Sequence, residues 1–126
     1  MNSKVRPYNP SEDLEKVLQI IKSEGEEWED YLTPEYEGLL ETSVTYVALL
    51  EGVLCGYARS LRDGGFFVWV MDLLVDRNSR GHGMGKQMLE RIAADFPNQE
   101  VYVLSDVDAY YEKLGYQRAG SLYQVG

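Results

Sequence analysis

The stretch VDRNSRGHGMGKQML, Val75 to Leu89, sets glycine at three alternate positions, Gly81, Gly83 and Gly85, where an apolar strand gives way to an apolar helical pattern. Glycine is costly in a helix, by about 1 kcal/mol against alanine, because it loses the most backbone freedom on ordering. Three of them at a helix start need a physical cause. One reading is an ordinary glycine-rich turn. The other is an anion site: a helix N-terminus turns free N–H groups outward with about half a positive charge behind them, and glycine lets a phosphate approach that backbone closely.

Working outward, FFVWVMDLLV (Phe66 to Val75) is a strand with little alternation, as expected of one buried on both faces. Met84, Met88, Leu89, Ile92 and Phe96 then share one side of a helix, and EVYVLS (Glu100 to Ser105) is a short apolar strand. Strand, helix and strand make a βαβ crossover. Upstream, SVTYVALLEGVLCGYARS reads as a hairpin turning at Glu51-Gly52, with a second turn at Asp63 to Gly65. Asn9, Pro10 and Ser11 cap an amphipathic helix carrying Leu14, Val17, Leu18 and Ile21, and Thr33 and Pro34 open a short second one. Downstream, DVDAYYEKLG reads as a helix capped by Asp106 and stopped by Gly115, and YQRAGSLYQVG as one or two closing strands. The expected architecture is α/β: a mixed, mainly antiparallel central sheet flanked by helices, in one domain over residues 1–126.

Bulk composition narrows the function. The 12 basic and 21 acidic residues leave a net charge of −9, which repels nucleic acid and favours a cationic partner. No apolar run reaches membrane-span length, and MNSKVRPYNPSEDL lacks a signal-peptide core, so neither membrane nor secretion is expected. The single cysteine, Cys55, cannot form an internal disulfide and reads as a small buried hydrophobe; a cytoplasmic location is expected. With one histidine, His82, and no metal-ligand spacing, no metal is expected. The acidic run SEGEEWED (Ser23 to Asp30) is either a solvated helix end or an entrance for an amine, lined by Glu24, Glu26 and Glu27 with the Trp28 and Tyr31 rings.

Two common phosphate binders are excluded. A P-loop needs a longer gap before its lysine and a Ser or Thr after it, where this chain has Gln87. A dinucleotide fingerprint needs G-x-G-x-x-G on an opening strand, and here an antiparallel meander comes first. Arg80-Gly81-His82-Gly83-Met84-Gly85 instead resembles the Arg/Gln-x-x-Gly-x-Gly/Ala signature of the GNAT superfamily of N-acetyltransferases, and DAYYEKLGYQRAG resembles that family's second motif, with Tyr116 in place of the usual Phe. Relatives commonly carry Asn near the start of the second motif, where this chain has Ser105 and Asp106.

The resemblance implies transfer of an acetyl group from acetyl-CoA to a primary amine: a small amine, amino acid, polyamine or protein amine. It implies that the diphosphate sits on the amides from Gly81 through His82, Gly83, Met84 and Gly85 to Lys86, with Arg80 bracing the loop or meeting phosphate. It implies that the backbone of Leu73, Leu74 and Val75 pairs with the pantetheine arm, which needs the strands ending at Val75 and Ser105 to splay apart. Tyr111 falls on the motif position of a proton donor to the departing thiolate, and Tyr110 reads as packing. His82 reads as surface filler rather than a catalyst. For the base, Asp72 in the buried strand is a candidate, since a bare buried carboxylate is expensive; a salt bridge or hydrogen bond tying strand to helix explains it equally well. Glu24 and Glu27 are rivals for the same role. A non-catalytic acyl-CoA-binding module on the same scaffold stays open beside the enzyme, an oxidoreductase is a distant third, and homodimers are common among relatives.

Overall fold

The structure is a computed structural model describing residues 2–126. Strand β1 (Ser3–Pro7) opens it, and α1 (Pro10–Glu24) follows. A 3-10 segment (Glu26–Tyr31) leads to α2 (Pro34–Thr42). The meander is β2 (Val44–Leu50), β3 (Val53–Arg62) and β4 (Phe67–Val75); α3 (Met84–Asp95), β5 (Glu100–Val103) and α4 (Asp108–Lys113) complete it. The sheet runs β1-β2-β3-β4-β5, antiparallel except for the parallel β4–β5 pair. The expected α/β class and mixed sheet are therefore present.

Local chemistry explains most boundaries. Asn9 caps α1 by accepting the Ser11 N–H, and Thr33 caps α2 by accepting the Tyr36 N–H. Glu51 and Gly52 both take positive φ, 51° and 78°, as a type I′ hairpin requires. Asp63 holds the next turn by accepting from the N–H groups of Phe67, Gly65 and Phe66, which lowers its carboxyl pKa. Gly115, at φ 89°, stops α4, with the Tyr116 N–H closing onto the Tyr111 carbonyl.

Helices cover both faces of the sheet. On one side Met84, Met88, Leu89 and Ile92 of α3 pack on Ala58, Val68 and Val70. On the other, Val17, Ile20 and Ile21 of α1 and Leu40 of α2 pack on Val47, Tyr57 and Leu74. Each such side chain contributes about 1.5–3 kcal/mol by leaving water. Strand β4 serves both cores because helices cover both faces of the sheet, and a bulge changes which of its residues meet each one: Arg59 pairs with Asp72 while Ser60 pairs with Val70, leaving Met71 as the extra residue. Before the bulge Val68 and Val70 face α3; after it Leu73 and Val75 do, and Leu74 turns to α1. Cover on both faces is why the strand's sequence shows little polar–apolar alternation.

Three features differ from the sequence reading. Strand β1 lies in a stretch to which that reading assigned no element; it pairs with β2, and Arg91 of α3 donates to its Val5 carbonyl at 2.6 Å. Asp106 does not cap α4: the N-cap residue is Val107, whose N–H donates to Ser105 Oγ. The closing strands do not form. Residues 114–126 hold no helix or strand; Arg118 bonds locally to Gly120 O and Ser121 Oγ, and Leu122, Tyr123 and Val125 are exposed. A strand needs a ladder partner, and this segment bonds to itself instead.

The β1–α1 junction carries a testable ion pair. Arg6 grips buried Asp13 with two nitrogens, at 2.7 and 2.8 Å, and the Asn9 N–H donates to the same carboxylate. Burial opposes the charge, but the Arg6 and Asn9 hydrogen bonds outweigh it and hold the Asp13 carboxyl below its usual value of 3.8. A depressed folded-state pKa gives stability that is present above the unfolded value and lost as pH falls through the folded one. Urea midpoints of the parent are expected to drop below about pH 4, and Asp13→Asn should flatten that drop. An unchanged acid limb in the variant would refute the assignment.

Candidate active site

The three glycines of the opening stretch are there for two different causes. Gly81 and Gly83 take φ of 88° and 73°, a left-handed backbone that side chains resist, and a Cβ at either would face open space. Gly85 lies in the first turn of α3, where the Tyr110 hydroxyl rests in the place a Cβ would take and Leu73 Cδ2 is 3.7 Å from it. Gly83 is the N-cap of α3 and supplies no side-chain bond. Its carbonyl accepts the Gln87 N–H, and among the described residues no acceptor meets the N–H groups of Gly81 to Lys86. The result is an uncapped, positively polarised helix start with open space before it, which suits an anion. Met84 turns its side chain into the core, so only its backbone is available there; His82 and Lys86 are exposed.

The strand leading into this loop has a free edge. The last β4–β5 pair is Val70 with Val103, and Leu104 N–H to Val70 O is the last link beyond it. From Met71 to Val75 β4 runs on without β5. On its other side Leu73, Leu74 and Val75 pair with Ala58, Tyr57 and Gly56. The expected splay is therefore in place, and it exposes backbone groups next to the glycine loop.

Arg80 braces this corner. Its Nε donates to the Val75 carbonyl at 3.0 Å and a terminal nitrogen reaches Glu24 Oε2 at 2.8 Å. Arg77 donates to the Glu24 backbone carbonyl, also at 2.8 Å. Glu24 is thus held by two arginines and does not join Glu27 in an acidic rim; Glu27 is exposed on the 3-10 segment. Trp28 does stand in an aromatic row: its ring is 5.1 Å from Tyr31, which is 4.8 Å from Tyr36.

Behind that row lies a buried polar cluster. Asp72 Oδ2 accepts from Arg59 Nε at 2.6 Å and from the Tyr36 hydroxyl at 2.7 Å, and Tyr36 also meets the Tyr57 hydroxyl at 2.7 Å. Burial first, then the neighbouring Asp72 charge, pushes the Tyr36 phenol above its ordinary value. The strand-to-helix tie envisaged for Asp72 is the arrangement found, and both its bonds fall on one carboxylate oxygen. Arg59 and Tyr36 were missed in the sequence, although Asp72 is the one charge of β4 and Arg59 stands inside the apolar run of the adjacent strand, with Arg62 at its exposed end, so the two were a readable pair.

Tyr111 is half-buried on α4 against the α3-side core, its ring 5.0 Å from that of Tyr110. Burial above all, then Tyr110 and Asp106, pushes its phenol up to about 12. Burial above all, then Asp72, with Asp106 adding a smaller share, raises the Tyr31 phenol above its ordinary value. Tyr110, read as packing, is the tyrosine whose hydroxyl reaches the glycine loop.

Similarity to known proteins agrees with this geometry. Residues 41–118 match the family model described as an acetyltransferase (GNAT) domain. The chain is 24% identical over 118 residues to the uncharacterized N-acetyltransferase ycf52 of Pyropia yezoensis, covering 86% of this chain and 67% of that protein. It is 32% identical over 72 residues to the chloroplastic GCN5-related N-acetyltransferase 2 of Arabidopsis thaliana, covering 53% of this chain but only 28% of the relative's length. In fold it is similar to an aminoglycoside acetyltransferase from an uncultured soil metagenomic sample, with a TM-score of 0.78 at 20% identity, covering 100% of this chain and 99% of that one. It is also similar to glucosamine-6-phosphate N-acetyltransferase of Arabidopsis thaliana, with a TM-score of 0.74 at 17% identity, covering 100% and 99%. A match over residues 41–118, more than half the chain and a span that includes the glycine loop, the splayed strand and the tyrosine helix, makes this protein a member of the GNAT acetyltransferase family.

Proposed function

We propose that the chain transfers an acetyl group from acetyl-CoA to a primary amine by direct attack. The observation that carries this reading is the free β4 edge from Met71 to Val75 running straight into the unpaired N–H groups of Gly81 to Lys86. An extended acyl carrier ending in a diphosphate matches that sequence of sites: a strand-like arm on the edge, an anion on the helix start. When bound, acetyl-CoA supplies the activated acetyl group. The loop amides hold its charge, Arg80 keeps the loop against Val75, and the Leu73 to Val75 backbone orients the arm. Of the two candidate amides, Leu73 or Leu74, the Leu74 backbone faces β3, so the Leu73 N–H on the open edge is the one that would donate to an oxygen that gains charge. Tyr111 keeps its proton through neutral pH, as a donor must. On the opposite wall Asp72 is the proton acceptor, through the oxygen not taken by Arg59 and Tyr36.

The acceptor enters past Trp28 and Tyr31. A net charge of −9 and an aromatic row both favour a cation, and two similar folds belong to enzymes named for amino sugars. The test measures thiol release from acetyl-CoA against aminoglycosides, amino sugars, polyamines and a lysine peptide. Amine-dependent release is expected. Calorimetric binding of acetyl-CoA with no turnover on any amine would leave an acyl-CoA-binding module, and no binding would overturn the reading.

A further inference from the structure

We infer that Glu24 is a positioning residue that couples the glycine loop to the acceptor-lining segment. The inference rests on the acetyl-transfer reading above. Glu24 is the last residue of α1, and the chain turns immediately after it at Gly25, φ 103°, into the 3-10 segment that carries Trp28 and Tyr31. Two separate groups of this one residue are engaged by the connection from β4 to α3. Its carboxylate holds Arg80, the first residue of the glycine signature, at 2.8 Å. Its backbone carbonyl, left unpaired by the helix end, accepts Arg77 at 2.8 Å, a cation where the helix dipole favours one. Both arginines in the connection from β4 to α3 are therefore anchored where the acceptor segment begins.

Stability does not account for the contact. The Arg80 and Arg77 side chains are about half exposed, and ion pairs of that kind add little. Position does. Arg80 is also fixed to the Val75 carbonyl, so Glu24, Arg80 and Val75 form a continuous link from the end of α1 to the free edge of β4. Filling the loop with a diphosphate fixes Arg80, Arg80 fixes Glu24, and Glu24 sets where Trp28 and Tyr31 stand. Such coupling is reciprocal: whatever orders the acceptor segment also favours the loop conformation that takes the carrier.

The test labels the protein with 5-fluorotryptophan, which gives one resonance for each of its two tryptophans, and assigns Trp28 with Trp28→Phe. Saturating coenzyme A should shift the Trp28 resonance in the parent. In Glu24→Ala that shift should vanish, while calorimetry shows coenzyme A affinity within about fivefold of the parent, the most an exposed ion pair accounts for. A Trp28 shift that survives Glu24→Ala, or no shift in a parent that binds, overturns the inference alone. Binding that tightens more than about fivefold in Glu24→Ala also overturns it, because Glu24 would then be competing with phosphate for Arg80. No coenzyme A binding by the parent defeats the acetyl-transfer reading itself.

Discussion

Tyr111→Phe is expected to lower kcat for acetyl transfer by about 10²–10⁴-fold, the usual contribution of a positioned acid, with coenzyme A affinity unchanged. The ring stays, so its packing against the α3-side core stays. Only the hydroxyl is lost, a group that burial holds protonated up to about pH 12. Binding measured by calorimetry and turnover measured by thiol release separate the two effects. Tyr110→Phe is the control. Its hydroxyl lies against Gly85, so removing it should act on coenzyme binding rather than on kcat. Intact turnover in Tyr111→Phe together with a collapse in Tyr110→Phe would transfer the donor role to Tyr110.

Asp72→Ala is expected to destabilise the fold by about 3–5 kcal/mol, since it leaves the Arg59 guanidinium buried without its counter-ion. That is a large share of the roughly 5–15 kcal/mol that holds a domain of this size together. Urea unfolding followed by circular dichroism would report it as a lowered midpoint with an unchanged slope. A midpoint within about 0.5 kcal/mol of the parent, the range of an ordinary surface change, would show that the pair is not a tie. Asp72→Asn separates the two roles proposed for this carboxylate. Asparagine keeps an oxygen for Arg59 and Tyr36 but cannot take a proton. A variant that folds yet turns over slowly at all pH values supports the base. One that folds and turns over normally assigns Asp72 to the tie alone.

The site was legible in the sequence to different depths. Gly81, Gly83 and Gly85 pointed to the loop because glycine has few other reasons to open a helix, and the motif order located Tyr111. Gly85 was legible as a residue that must be small, but not why: its neighbour is Tyr110, twenty-five positions away and brought over it only by the βαβ crossover. Glu24 looked like one more carboxylate in an acidic run. Its partner Arg80 is fifty-six positions downstream, and no local pattern announces a pairing at that distance.

The amino-acid sequence by itself determined most local terms: the four helices and strands β2 to β5, the Asn9 and Thr33 caps, the turns at Glu51-Gly52 and Asp63 to Gly65, and an uncapped glycine-rich helix start after a buried strand, but not β1, the α4 cap or the irregular closing segment. Those follow from period, propensity and turn chemistry, which act within a few residues. Tertiary structure alone decided which face each side chain meets. The extra residue at Met71 reverses the pleat of β4, sending Leu73 toward Gly85 and α3 and Asp72 toward Arg59 and Tyr36. A bulge costs one ladder position and is chosen by the packing of both sheet faces at once, so nothing in the strand's own residues announces it.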